Sequence, residues 1–274
     1  MAYTLNNRFV DLMQGVLVVG CGGTGGFVAE GLCRLLSRRV NIILMDQDVV
    51  ETTNLLRQNF YPADLGKFKA QVLAERLSQQ FNRRVGYSLH YAKTEVGIYA
   101  HPDPLSRYYL TIGCVDNHLA RQAIQKMHEK HHGLGWWVDS GNAENWGQVL
   151  IGNRSSDFNH SFDPELQQCF YLPMPTVQRP ELLLPPAAEA IDPDCAEAVQ
   201  VGDQSPTINQ AMASLVLEVV RRLITGTCPW MSLFLDLDTG ELKPTYATPE
   251  NVSRLTKIQI RRLLGKNEQW RIGY

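Results

Sequence analysis

The stretch Gly15–Arg57, GVLVVGCGGTGGFVAEGLCRLLSRRVNIILMDQDVVETTNLLR, decides the fold. Val16 to Val19 is a short apolar run that predicts a buried parallel strand. Gly20-Cys21-Gly22-Gly23-Thr24-Gly25-Gly26 follows and contains G-x-G-x-x-G. Beyond it Phe27, Val28, Leu32, Leu35 and Leu36 recur at helical spacing. A second apolar run, Ile42 to Met45, ends on Asp46. The order is strand, glycine turn, helix, strand, acidic residue. Glycines let the backbone bend sharply and approach a phosphate closely. The free N–H groups and partial positive charge of the helix start then favour an anion, and Asp46 is placed to accept from a ribose.

That loop alone predicts a nucleotide without naming it; a tight turn packing a helix onto a sheet would look the same. The residues just beyond sharpen the reading. Asp46-Gln47-Asp48, Asn54-Leu55, Arg57-Gln58 and Lys69 form a polar series that a nicotinamide site does not need. A triphosphate site does, because it wants an arginine fork and a lysine on phosphates and carboxylates near Mg²⁺.

Composition sets bounds. The 274 residues are 44% hydrophobic and 20% charged, ordinary for a globular chain, and the formal net charge of −2 predicts no nucleic-acid partner. No apolar run approaches the ~20 residues that span a bilayer, and the N-terminus lacks a signal-peptide core, so a cytoplasmic location is expected. Six cysteines (Cys21, Cys33, Cys114, Cys169, Cys195, Cys228) include no C-x-x-C pair. We expect neither a disulfide framework nor a zinc site.

Outward from the glycine loop, Lys67–Gln80 has helical spacing and Val85–Tyr91 reads as a strand. Residues 92–107 look irregular. Leu110–Val115 is a strand ending in Asp116-Asn117, where a helix over His118–His128 begins and carries Arg121. Trp136–Ser140 and Gln148–Ile151 are further strands. Alternation of β and α predicts an α/β, Rossmann-like, doubly wound, mainly parallel sheet, with ligands at the strands' carboxyl ends. Gly20, Asp46 and Asp116 all fall at such ends. The nucleotide-binding part spans about 15–153. A crossover-type loop occupies 154–206, too long to be an idle connection. A helix over Thr207–Thr225, capped by Gly226, and a hairpin of Leu233–Leu237 with Leu242–Tyr246 complete a domain of residues 1–248, with a small β-rich C-terminal portion. Residues 249–274 form a basic tail, read as a solvated surface helix with docking onto an acidic partner as the sharper alternative. His128, His131 and His132 invite a metal reading, but a helix end favouring positive charge accounts for them better.

At this point the motifs resemble the E1-like superfamily that activates ubiquitin-like and sulfur-carrier proteins, the ThiF/MoeB/HesA type. They are GCGGTGG at Gly20–Gly26, DQD at Asp46–Asp48, NLLRQ at Asn54–Gln58, GKFKA at Gly66–Ala70, CVDN at Cys114–Asn117, VDSGNAENWGQV at Val138–Val149 and DCAEA at Asp194–Ala198. Seven in order are specific where one is weak. The compact form without zinc pairs is most similar to the ThiF-family members of PRTRC-type gene sets.

The resemblance implies ATP-dependent adenylation of the C-terminal glycine of a ubiquitin-like or sulfur-carrier β-grasp protein. By family matching, Gly20, Gly22, Gly23 and Gly25 cradle the nucleotide, and Asp46 holds the ribose with Asp48 close by. Asn54, Arg57 and Lys69 hold the phosphates with Gln58 in support. Asp116 binds Mg²⁺, and Asn117 shapes the nucleotide pocket. Cys195 matches the cysteine that forms a thioester or persulfide, with Cys169 the runner-up. An E2-like or sulfurtransferase acceptor and a homodimer are implied, and Arg8 is the candidate for an arginine acting in the partner subunit's site. Two other classes stay open: an NAD(P)-binding oxidoreductase, which leaves Arg57, Lys69 and Asp116 unexplained, and a non-catalytic E1-like scaffold. Neither membrane nor nucleic acid is expected as a partner.

Overall fold

A computed structural model describes residues 3–90, 108–130, 134–185 and 205–265. Its centre is an eight-stranded sheet. The strands are β2 (Gly15–Val19), β3 (Asn41–Met45), β4 (Val85–Ser88), β5 (Tyr108–Gly113), β6 (Trp136–Asn142), β7 (Trp146–Gly152), β10 (Trp230–Asp236) and β11 (Glu241–Tyr246), in the order β11-β10-β7-β6-β5-β2-β3-β4. From β4 to β6 the neighbours run parallel, and from β6 to β11 antiparallel. The chain moves from β2 outward through β3 to β4, then returns to place β5 on the other side of β2. That reversal opens a crevice above the ends of β2 and β5.

Both faces of the sheet are covered, which is why β2 is buried along its whole length. One face carries α1 (Gly23–Leu35), α2 (Lys69–Phe81) and α5 (Pro206–Ile224) over a core that includes Val16, Val18, Leu32, Leu73 and Val216. The other carries α3 (His118–Lys130) and the short α4 (Pro175–Gln178) over Leu17, Val19, Ile124, Met127, Trp137 and Met174. Helices α1 and α5 lie so close that a Cβ on Gly31 would meet Leu217 Cδ1 at 2.1 Å. Helix α5 starts on Ser205, whose hydroxyl accepts from the Ile208 amide, with Pro206 at its first position. It ends before Gly226, which adopts φ +66°.

Several expectations need correction. Residues 154–185 are a packed unit, not an open loop. Strands β8 (Phe162–Asp163) and β9 (Gln168–Cys169) join β1 (Thr4–Leu5) in a second sheet of order β1-β9-β8. Asn153 stitches it, donating to the Phe170 carbonyl at 2.9 Å and accepting from the Leu172 amide at 2.8 Å. Two-residue strands carry no period, so the sequence pattern was silent there. As far as residue 265, where the described part ends, the basic tail is not one solvated helix. It forms α6 (Pro249–Thr256) and α7 (Ile260–Leu263), and Val252 and Leu263 are fully buried. Leu264 bridges to Phe162. His128 is also buried, stacked on Trp137 at 6.0 Å, so ring packing and not the helix end explains it; His131 and His132 lie outside the described residues.

Strand β6 is interior, paired on both sides, and α5 spends its apolar face on α1, β6 and β7. The apolar faces of α5 and β6 are therefore covered within the chain and give no support to a homodimer, which rests on the resemblance alone.

Candidate active site

A cleft of about 810 Å³ opens at the carboxyl ends of β2, β3, β5 and β6. It collects Gly20, Gly22, Gly23, Asp46, Asp48, Asn54, Arg57, Gln58, Lys69, Asp116, Asn117 and Arg121. Residues from 19 to 182 in sequence thus meet in one place, because the sheet order returns β5 to the side of β2.

The glycine turn is shaped by its surroundings. Gly20 has φ +91°, and a Cβ there would lie 2.4 Å from the Cys114 carbonyl oxygen. Only glycine fits. A Cβ on Gly25 would strike the Gly20 carbonyl oxygen at 1.9 Å. Gly25 is not on the cleft wall; it lets α1 pack against the end of β2. Gly22 begins α1 with no side chain capping it, so the first amides of the helix face the cleft uncapped.

Asp46, at the end of β3, holds that turn from the side. Its Oδ2 accepts from the Cys21 amide at 2.7 Å and its Oδ1 from the Asp48 amide at 2.8 Å. Burial pushes its carboxyl above the ordinary range, opposed by those two amides. Lys69 starts α2 and is buried, with Nζ 3.5 Å from Asp48 Oδ2 and its amide on the Asp48 carbonyl at 2.8 Å. Asn54 closes a reciprocal cap with Glu51 over the 3-10 turn Thr52–Leu56 and delivers Arg57 and Gln58 to the cleft. Gln58 lies beside Gly22, and its Oε1 is buried with no hydrogen-bond partner among the described residues.

Across the crevice, Asp116 is exposed after β5, and Asn117 Oδ1 caps α3 by accepting from the Ala120 amide at 2.9 Å. Among the described residues no three His, Cys, Asp or Glu side chains group as a metal cage. A lone carboxylate beside phosphate oxygens is nevertheless the usual setting for Mg²⁺, so Asp116 fits that role. The residues also fit a nucleotide triphosphate: uncapped helix amides and the cations Lys69 and Arg57 converge on one opening for the phosphates, and the orphaned amide oxygen of Gln58 can accept from a hydroxyl or amine of the nucleotide.

The structure gives partners to residues that the sequence left without a role. Buried Thr24 and Asn209 form a polar knot with half-buried Asn142 at the start of α1. Asn209 Oδ1 receives Asn142 Nδ2 at 3.1 Å and Thr24 Oγ1 at 3.4 Å, while Asn209 Nδ2 donates to the Arg57 carbonyl at 3.3 Å. Beneath the cleft, buried Asp139 pairs with Arg121 at 3.0 Å. Burial pushes the Asp139 carboxyl up and the Arg121 guanidinium pulls it back.

Cys195 lies outside the described residues. Cys169, the second candidate, is fully buried in β9, its thiol pushed well up by burial and donating to the Tyr171 carbonyl. It is packed away from the cleft. Arg8 sits in the 3-10 turn Arg8–Val10 and does not line the cleft of its own chain.

Comparison with solved structures finds the same fold. E. coli MccB with MccA-N7isoASN superposes with a TM-score of 0.62 at 18% identity, covering 86% of this chain and 66% of that one. E. coli MccB with ATP gives 0.59 at 17%, covering 86% and 65%. PaaA gives 0.60 at 18%, covering 87% and 66%. The chain spans just under two thirds of the length of these structures. No curated relative matches it. The ThiF family model matches residues 12–258, which takes in the glycine turn, every cleft residue named above and both C-terminal strands. By that match the chain belongs to the ThiF family.

Proposed function

We propose that this chain is an adenylyltransferase that activates the C-terminal carboxylate of a peptide or protein with ATP, and that its substrate is a β-grasp protein ending in glycine. One observation carries the reading. Uncapped helix amides, Lys69 and Arg57 share a single cleft with the carboxylates Asp46, Asp48 and Asp116. That is a donor set for a triphosphate and its ribose. A nicotinamide site gives Lys69 and Arg57 no work.

The chemistry follows from charge. A carboxylate oxygen attacks the α-phosphorus, the bond to the β-phosphate oxygen breaks, and pyrophosphate leaves. Negative charge builds on the transferring group, so positioning and electrostatic stabilisation are what the protein supplies. The first amides of α1, Lys69 and Arg57 face that charge. Asp46, braced by two backbone amides, keeps acceptor capacity for the ribose. Mg²⁺ held at Asp116 would neutralise phosphate oxygens when bound. A groove of about 400 Å³ shares Gln148 with the cleft and is lined by Arg179, Lys243 and Arg254 over Leu150 and Leu233. It offers an extended C-terminal tail a path to the α-phosphate. Support for the reading also comes from the neighbours, since MccB has been crystallised with ATP and with N-formylated MccA.

Transfer of the acyl group to the Cys195 thiol, with loss of AMP, extends the proposal. ATP–pyrophosphate exchange driven by a candidate β-grasp protein tests the first step, and Asp116→Ala should abolish it. Exchange at the wild-type rate in that variant refutes the site. ATP binding without exchange for any substrate would favour the scaffold reading.

A further inference from the structure

A buried aspartate, Asp139, directly after the apolar run Trp136-Trp137-Val138, inside β6, has no place in the core logic of the strand. Asp139 is 1% exposed, and its partner Arg121 is 6% exposed. Burying such a pair costs desolvation of both ions, and an apolar pair of the same volume would serve stability as well or better. The geometry shows what the charges are spent on. Arg121 Nε donates to Asp139 Oδ2 at 3.0 Å, and the terminal Nη2 of the same planar fork donates to the Val115 carbonyl at 2.5 Å. Val115 is the residue immediately before Asp116. On the other side of Asp116, Asn117 caps α3.

Room for the fork is kept by two glycines on neighbouring strands. A Cβ on Gly113 would lie 2.7 Å from Asp139 Oδ1, and one on Gly141 would lie 3.4 Å from Arg121 Nη2. The backbone on both flanks of Asp116 is therefore tied down while its side chain projects into the cleft.

We infer that Asp139 is a positioning residue for the nucleotide site: through Arg121 it holds the Val115 carbonyl and fixes the direction in which Asp116 leaves the end of β5. The inference rests on the reading of Asp116 as the carboxylate that meets the metal–nucleotide complex. A planar guanidinium anchored at one end by a carboxylate loses less freedom when it binds at the other, so the carboxylate sets the precision of the turn. Loss of such an outer anchor around a metal site typically costs about 10–100-fold in metal affinity.

The test uses the double variant Asp139→Val with Arg121→Met, which removes both buried charges together and so leaves neither ion unpaired. Asp139→Asn, which keeps an acceptor and drops the charge, is the second variant. Two readouts are taken on the full chain. Amide hydrogen exchange of Val115–Asn117 is measured without ligand, and ATP affinity is measured by calorimetry with EDTA and with Mg²⁺. In the double variant we expect the thermal midpoint to hold, exchange at Val115–Asn117 to speed up, and the Mg²⁺ enhancement of ATP affinity to fall by about tenfold or more. ATP affinity in EDTA should fall by less than the affinity with Mg²⁺, and least in Asp139→Asn, which leaves the cleft cation Arg121 in place. Asp139→Asn should fall between, and it decides the matter if the double variant does not fold. A purely structural role predicts equal losses with and without Mg²⁺, or full recovery of Mg²⁺ enhancement once both charges are gone. Either result overturns the inference, as does unchanged exchange at Val115–Asn117. Wild type that binds ATP with no Mg²⁺ enhancement refutes the role of Asp116 and the inference with it. Wild type that shows the enhancement but never exchanges pyrophosphate refutes only the adenylation reading.

Discussion

The side-chain amide of Asn209, on α5, fills the space that a Cβ on Gly23 would need: Nδ2 would lie 2.4 Å from that atom. The second half of the fold therefore reaches back and closes over the glycine turn. Asn209 is completely buried, and its three polar partners are Thr24, Asn142 and the Arg57 carbonyl.

This contact predicts that Gly23→Ala damages the protein through Asn209, not through backbone strain. Asn209 must leave its partners to make room, and each buried group left unpaired costs about 1–3 kcal/mol. Urea denaturation should show a loss of that size. The pair Gly23→Ala with Asn209→Ser should recover part of it, since serine vacates the contested space. A double variant no more stable than the sum of the two single losses would show that the two residues do not compete.

How much of this was open to a reader of the sequence depended on range. The β2–turn–α1–β3 unit was legible because its apolar periods and glycines are local, and Asp46 falls where such a unit places it. Asn209 was not, because it meets Thr24 across 185 positions and an asparagine on an amphipathic helix carries no mark of what it touches. Asp139 was quoted within a motif, yet nothing on a linear reading pairs it with Arg121. The β1-β9-β8 sheet and the Leu263 anchor escaped because their elements are too short for any period to register.

Arg83 shows how a buried cation can be wholly structural. Its guanidinium donates to the carbonyls of Cys33 and Leu36 at 3.1 and 3.0 Å and of Ser37 and Val40 at 3.2 and 2.6 Å. These are the orphan carbonyls at the end of α1 and the turn that follows. Arg83→Met should cost about 2–4 kcal/mol in urea unfolding, because several buried acceptors lose their donor together. Affinity for ATP should stay within error of wild type, since Arg83 is remote from the cleft lining. A loss of affinity without a loss of stability would contradict this assignment.

Lys69 separates a triphosphate site from a simpler nucleotide site. The side chain is buried and, among the described residues, its Nζ has a single 3.5 Å contact, to Asp48, itself largely exposed. Methionine at this position keeps the stem packed and removes the charge. Lys69→Met should weaken ATP binding by about tenfold or more, the worth of one charge-assisted hydrogen bond. AMP, which keeps its contacts to Asp46 and the glycine turn, should lose much less. Equal losses for ATP and AMP would place Lys69 near the α-phosphate or the ribose instead.

The thiols give the most direct route to Cys195. Burial pushes every other cysteine up: Cys33 to about 11, Cys228 to about 12, and Cys21, Cys114 and Cys169 well above the ordinary thiol range. A thiolate is the reacting form, so all five should resist alkylation in the native protein near pH 8. A thiol that labels fast under those conditions is then Cys195, and substrate-driven adenylation should protect it if it carries the acyl group. Cys195→Ser should leave pyrophosphate exchange nearly intact while abolishing any adduct cleaved by excess thiol. Native labelling of Cys114, which lines the cleft, would instead point to a second reactive centre. The same shifts predict an alkaline limb. Cys33 holds its proton in the folded chain up to about 11 but releases it near 9.0 once unfolded. The Cys33 contribution to folding stability is therefore intact below pH 9 and is lost as pH rises through 9 to 11, the direction set by a raised native value. Cys33→Ala should make that limb shallower between pH 9 and 11 in a pH series of urea midpoints, the other buried thiols keeping the rest; an unchanged limb would show that the Cys33 thiol meets solvent before the chain unfolds.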